Sequence, residues 1–390
     1  MQQPKRIVII AGEESGDVHA ANLVRELRAN DNSLQISGIG GRHMEAAGVE
    51  LISDLARYGV TGLTEVLKHL RVIRQAFAKI KTHLQNVKPD LLILVDYPGF
   101  NLRLAKYAKQ ELGLQILYYI GPQIWAWKAG RINTIRECVD QMAVILPFEK
   151  AIYEQAGVSA QFVGHPLLGK LPAHENILQL KQQLNLPTDK KIVAILPGSR
   201  RNEIEMHLPV MIQAAQLLQQ KQQDVHFVLP IAGTLNPDSV KQFFKGSDIT
   251  ISFLNNQAMD AVSCSDCVIV ASGTASLECA LLQKPMCIIY KASLITYIAA
   301  MKVIRVKYLG LCNLLQNEMI VPELLQYDCN PHELSLMMEN LLNNQTMIGN
   351  MTANLAKLKH SLSMEQADSS LAQIVLEKLN VGLYSPYPSS

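Results

Sequence analysis

Eleven short apolar runs punctuate this 390-residue chain, and what lies between them constrains its fold more than any other feature. Six come first: RIVII (6–10), QISGIG (35–40), LLILV (91–95), QILYYI (115–120), MAVIL (142–146) and QFVG (161–164). Five follow: KIVAIL (191–196), HFVLPI (226–231), ITISFL (249–254), CVIVA (267–271) and PMCIIY (285–290). Helical periodicity fills the intervals. Between the first two runs, Ala20, Leu23, Val24 and Leu27 recur at i, i+3, i+4 and i+7, one buried helix face. Near-continuous apolar strands alternating with helices mark βαβ units and parallel sheets, since such strands are covered on both faces. Around 166–190 the pattern lapses into prolines and polar clusters, which reads as a linker with one short helix. The expectation is an α/β chain of two doubly wound, Rossmann-like halves facing a cleft. Domains are expected at 1–170 and 187–345, with helices at 346–380 packing back across the boundary.

The totals exclude several classes. A net charge of +2 gives no global attraction to nucleic acid. Charged residues make up 18% of the chain, against roughly 25% for average soluble domains. No stretch reaches the ~18 apolar residues of a membrane span. The richest segment, SLITYIAAMKVIRV (293–306), is broken at Lys302. The apolar part of the N-terminus is too short for a signal peptide and runs directly into a strand pattern. A cytoplasmic protein is therefore expected, with peripheral membrane contact left open. Seven scattered cysteines fit reduced thiols, and the lone Cys264-x-x-Cys267 has no second pair at zinc spacing.

In open parallel sheets, ligands bind beyond the carboxyl ends of the strands, so chemistry is sought in the residues just after each run. In the second half, KIVAIL is followed by Pro197-Gly198-Ser199-Arg200. Arg200 offers a planar fork to phosphate oxygens, or else simply pairs with Glu203. After CVIVA come Ser272, Gly273, Thr274 and Ala275, a turn into a helix whose free N–H groups attract anions. Thr274 is equally a plain N-cap. Glu278, one turn in, stands where a carboxylate can hold ribose hydroxyls. In the first half, Asp96 ends a five-residue apolar run and either caps the turn or, raised by burial, serves as a general base. Trp125 and Trp127, beside Lys128 and Arg131, either grip a sugar or acyl chain or pack in the core. His165 reads as a satisfied hinge histidine. GIGGRHM is a poor dinucleotide fingerprint, with His43 at the third glycine position. Leu63, Val66, Leu67, Leu70 and Ile73 share one helical face, with Arg71 among the bases around it. That face is a core stripe by default and a contact with anionic membrane otherwise.

AGEESGD (11–17) has the strand–turn–helix order of a phosphate loop, yet carries Glu13, Glu14 and Asp17 and no base. Acids there would repel a diphosphate. They are read instead as an acceptor site, with Glu14 assisting Asp96 and with Ser15 or Asp17 capping the helix.

Taken in order, AGEESGD, GIGGRHMEAAG, GPQIWAWKAGR, LPFEKAIYEQAGV, VGHP, LPGSRRNEIE, ASGTASLECAL, NLL and PELLQ resemble the lipid-A-disaccharide synthase family over most of the chain. The resemblance implies an inverting GT-B glycosyltransferase. Such an enzyme joins UDP-2,3-diacylglucosamine to 2,3-diacylglucosamine 1-phosphate (lipid X) through a β-1,6 bond and releases UDP. It further implies Asp96 as base, Ser199, Arg200, Ser272–Ala275 and Glu278 at the UDP, and Asn313 reaching the nucleotide from a neighbouring loop. Trp125, Trp127, Leu63, Leu67, Leu70 and Arg71 would contact acceptor or lipid. No cofactor, no metal and no nucleic acid are expected, and the chain would associate with the cytoplasmic face of the inner membrane.

Overall fold

The computed structural model describes residues 4–55, 63–125, 130–174, 176–292 and 307–379; for 63–70 only the backbone is described. The chain divides into two compact units, Met1–Pro166 together with the chain from Leu362, and Leu167–Ser361.

The first unit holds strands β1 (Arg6–Ala11), β2 (Gln35–Gly40), β3 (Glu50–Asp54), β4 (Leu91–Val95), β5 (Ile116–Tyr119), β6 (Gln141–Val144) and β7 (Ala160–Phe162). They form one sheet in the order β3-β2-β1-β4-β5-β6-β7, and every neighbouring pair is parallel. Why the runs look uniformly apolar is visible in how they alternate. Val8, Ile10, Leu92, Leu94, Ile116 and Tyr118 enter one core cluster. Ile7, Ile9, Leu91, Ile93, Leu117 and Tyr119 enter the other. Both faces of the sheet are buried, so neither set can be polar. The second cluster includes Ala372, Ile374, Val375 and Leu376 of the C-terminal helix Leu371–Lys378. That helix packs beside the helix Glu14–Asn30.

The second unit holds β8 (Lys191–Leu196), β9 (Val225–Ile231), β10 (Ile251–Asn255), β11 (Cys267–Ala271), β12 (Met286–Tyr290) and β13 (Glu323–Leu325). Their order is β10-β9-β8-β11-β12-β13, again all parallel. The interval around 166–190 carries the short helix Ile177–Gln183. All seven cysteines are free and buried, Cys264 and Cys267 included.

In each unit the strand order reverses once beside the first strand, between β1 and β4 and between β8 and β11. The loops leaving those four strands are AGEESGD, VDYPG, PGSR and SGTAS. The fold gathers the unusual residues in two places.

Candidate active site

The first of these places pairs Ala11 with Val95, so the loops after β1 and β4 leave the sheet side by side. Gly12 is required there, because a Cβ would stand 2.1 Å from Tyr97 Cδ1. Asp96 and Tyr97 both adopt left-handed backbone, each with φ 47°. Two consecutive non-glycine residues in that region cost ~1–2 kcal/mol each and persist only where the surroundings over-determine them. Here they do. The Asp96 N–H donates to Tyr119 O at 3.0 Å. Its carbonyl accepts the Tyr118 hydroxyl at 2.6 Å and the Asn101 amide at 2.7 Å. Asn101 also donates to Val95 O at 3.1 Å and is itself fully buried. With its backbone held, the Asp96 carboxyl is partly buried, and desolvation pushes its pKa up to about 6, helped by the charge of Glu13. A carboxylate poised near neutrality is what a general base needs.

The acids of AGEESGD separate by task. Glu13 is exposed and acts on Asp96 and Tyr97 through its charge. Glu14, expected to assist Asp96, turns elsewhere: its carboxylate meets Arg42 Nη2 at 2.9 Å and His43 Nε2 at 3.1 Å. Burial pushes Glu14 up, but those two partners outweigh it and hold the group below the usual carboxylate value. Asp17 is buried and does not cap its own helix. It accepts the N–H groups of Gly41 at 2.7 Å, His43 at 2.9 Å and Met44 at 3.1 Å, closing the start of the helix Arg42–Ala46. GIGGRHM is therefore a socket for Asp17. Glu14, Asp17 and His43 do bring ligand-type atoms within 4.8 Å of one another, but both Asp17 oxygens are already occupied by backbone.

Trp125 is partly buried, donates its indole N–H to Glu149 at 3.1 Å and packs edge-on against Phe148. Glu149 is buried, and desolvation pushes it up to about 7 against that hydrogen bond. Trp127 lies outside the described residues, as do the side chains of Leu63, Leu67 and Leu70 on the first turns of the helix Leu63–Val87. Arg71 is exposed on that helix. His165 is buried, and desolvation, then the charge of His19, lower its pKa to about 4, so it stays neutral at physiological pH.

The second place is a cavity of about 580 Å³. Ser199, Arg200, Ser272 to Ala275 and Glu278 all line it, with Glu203, Gly233 and Asn256. Gly273 has φ 151°, and no heavy atom lies within 4 Å of where its Cβ would be, so its backbone is open to a ligand. The helix it precedes, Thr274–Leu281, presents N–H groups that have no intrahelical acceptor. The turn is held from behind: Ser272 N donates to Ile289 O at 2.9 Å, and its hydroxyl donates to Leu309 O at 3.1 Å. Burial raises the Glu278 pKa, with Lys170 opposing. The Pro197-Gly198 turn is fixed by buried His207, whose Nδ1 lies 2.8 Å from Pro197 O while Nε2 accepts Lys291 N at 3.1 Å. Sequence reasoning passed over His207, Tyr118 and Asn101. Their only signal was a polar residue on an otherwise apolar helix face or strand.

Asn313 departs from expectation. It is fully buried, donates to Val321 O at 2.8 Å and Glu323 Oε1 at 2.7 Å, and accepts Val321 N at 2.9 Å. Glu323 in turn accepts the N–H groups of Leu309 and Gly310. With both amide protons and its oxygen engaged by protein, Asn313 braces the loop behind Ser272. Asn313→Ala should lower stability by about 2–3 kcal/mol, because it strands buried polar partners. Urea unfolding followed by circular dichroism checks this. A variant as stable as wild type would contradict it.

Comparison with known proteins adds a family. The family model described as lipid-A-disaccharide synthetase matches residues 7–375. A curated relative, lipid-A-disaccharide synthase 1 from Legionella pneumophila (strain Lens), is 59% identical over 97% of this chain and 99% of its own length. Among solved structures, a UDP-N-acetylglucosamine 2-epimerase reported as putative, from Listeria monocytogenes, is similar with TM-score 0.63 and 14% identity, over 97% of this chain and 96% of that one. The calicheamicin glycosyltransferase CalG4 is similar with TM-score 0.58 and 14% identity, over 97% of this chain and 99% of that one. At such identities the structures speak for the GT-B fold alone.

Proposed function

Because this chain belongs to the lipid-A-disaccharide synthetase family, we propose that Asp96 is its general base and that the cavity of the second unit holds the UDP of its donor. The enzyme is a hexosyltransferase of lipid A biosynthesis. It condenses UDP-2,3-diacylglucosamine with 2,3-diacylglucosamine 1-phosphate to a β-1,6-linked disaccharide phosphate and releases UDP. The observation that carries the division of labour is Asp96 itself, an acid held in left-handed backbone at the switch point of the first sheet, with its pKa pushed up to about 6. Its carboxylate takes the proton from the acceptor 6-hydroxyl as that oxygen attacks the anomeric carbon. The bond from that carbon to the diphosphate oxygen breaks, and its electron pair leaves with UDP. Arg200 and the first N–H groups of the helix Thr274–Leu281 stabilise the charge that develops there. Glu278 accepts hydrogen bonds from the ribose hydroxyls, and Trp125 lies against acceptor or acyl chain.

A base must be ionised to act, so kcat/KM should rise as pH increases through about 6 and fall away below it. A rate profile measured between pH 5 and 9 (roughly the interval over which enzymes tune such groups) checks the limb, and a flat acid side would remove Asp96 from the role. The transfer itself is tested with labelled UDP-diacylglucosamine. UDP should appear only when the phosphorylated acceptor is present, and acceptor-independent release would sink the assignment.

Membrane association is a separate part of the proposal. No helix among the described residues is long and apolar enough to cross a membrane. Exposed Arg71 and Arg74, on a helix that begins with the apolar stripe of 63–70, support a peripheral contact with anionic lipid at the inner membrane's cytoplasmic face.

A further inference from the structure

The PGSR loop has the form of a phosphate loop, yet the backbone donors of Ser199 and Arg200 are already taken. Ser199 N and Arg200 N both donate to Glu203 Oε2, at 2.8 and 3.1 Å. Gly198, at φ 127°, is glycine because of this acid: a Cβ there would stand 2.4 Å from Glu203 Oε2 and 2.6 Å from Glu203 Cβ. The room that a phosphate loop usually reserves for its ligand is filled from within. Glu203 Oε1 also lies 3.6 Å from Arg200 Nη1, while the Arg200 side chain is otherwise 83% exposed. All of these groups line the cavity that contains Ser272 to Ala275.

We infer that Glu203 is a positioning residue that tunes the cavity against UDP: it keeps the PGSR donors and part of Arg200 away from the diphosphate and so favours product release. The inference rests on the reading that this cavity holds the donor's UDP. The donor's diphosphate is esterified at both ends, whereas UDP carries a free terminal phosphate and therefore one negative charge more. A fixed carboxylate on the cavity wall disfavours UDP more than the donor. The acid therefore weakens the hold on the product that has just formed more than the hold on the next donor.

A simpler role exists and predicts something different. Glu203 is the third residue of the helix Arg201–Lys221, where an acid commonly closes a capping box. Were capping its whole contribution, Glu203→Gln, which keeps an acceptor oxygen of the same reach, would leave UDP binding unchanged or weaken it through a looser loop. Removing a repelling charge does the opposite.

The experiment titrates UDP calorimetrically into the full-length chain, wild type and Glu203→Gln, and measures the donor KM and product inhibition by UDP in both. The expected result is UDP binding about fivefold tighter in Glu203→Gln, the scale of one exposed charge contact, with donor KM falling by less. Glu203→Asp, which keeps the charge, should restore the wild-type ratio of UDP to donor affinity even if Glu203→Gln folds poorly. Weaker or unchanged UDP binding in Glu203→Gln, or equal changes for UDP and donor, would overturn the inference while leaving the donor site in place. Wild-type chain that does not bind UDP, or Arg200→Ala that binds it as well as wild type, would instead overturn the donor-site reading, and this inference with it.

Discussion

Asp96→Asn lowers turnover by about 10²–10⁴-fold, the range expected on loss of a general base, while the protein folds at least as well as before. Both halves follow from the same facts. The amide keeps the side-chain shape, and the hydrogen bonds from Tyr118 and Asn101 go to the main-chain carbonyl, which the substitution leaves alone. What disappears is the ability to accept a proton. The stability sign follows from the raised pKa, about 6 in the fold against 3.8 for the free side chain. The fold favours the protonated form, so the carboxyl's contribution to stability is full below the free value and is lost as pH rises through about 6. Above that pH the ionised acid is a strained guest beside Glu13, and the neutral amide relieves it. Turnover at saturating substrate, with a thermal melt at pH 8 (roughly two units above the folded pKa), separates the two effects. An inactive variant that melts well below wild type would show that Asp96 serves the fold rather than the chemistry.

Arg200→Ala should lower kcat by about 10²–10³-fold, the cost of removing one donor aimed at developing charge, and should raise the donor KM as well. Among the described residues this guanidinium pairs with Glu203, at 3.6 Å, and it is mostly exposed. Its removal should therefore cost the fold little. Its value arises when a diphosphate enters, where a planar fork can meet two oxygens together. Arg200→Lys should recover only part of the loss, because an ammonium supplies charge without the fork. Steady-state kinetics with varied donor at saturating acceptor give both constants. A variant with changed KM and unchanged kcat would place Arg200 in ground-state binding alone.

How much of this was legible in the sequence depends on burial. The nine runs that form central strands stood out because parallel strands covered on both faces have no polar positions to blur them. β3 and β13 were missed. Each is an edge strand at the end of its sheet, only partly buried, and Glu50 and Glu323 begin them with acids. The PGSR and SGTAS loops were legible because a glycine immediately after a strand and before a helix has few other uses. The division at Leu362, which leaves the helix Gln345–Ser361 in the second unit and gives the chain beyond to the first, has no local signature. It is decided by which core accepts Ile374 and Leu376. Side-chain direction was the other blind spot. Glu13 and Glu14 are neighbours in sequence, but the first turn of a helix swings them apart, and only Glu13 bears on Asp96. Asn313 looked like a ligand because a buried amide that braces a loop and an amide that binds a nucleotide are written with the same letter. Left-handed backbone at Asp96 and Tyr97 is invisible for the same reason, since neither residue advertises it.

The most direct test of the central claim is a crystal structure of the chain with UDP bound. The diphosphate should lie over Gly273 and the N–H groups of Thr274 and Ala275, with the Arg200 fork on its oxygens, the ribose at Glu278, and Asn313 still bonded to Val321 and Glu323. UDP seated on the AGEESGD loop or against Asp96, with the second unit's cavity empty, would contradict it.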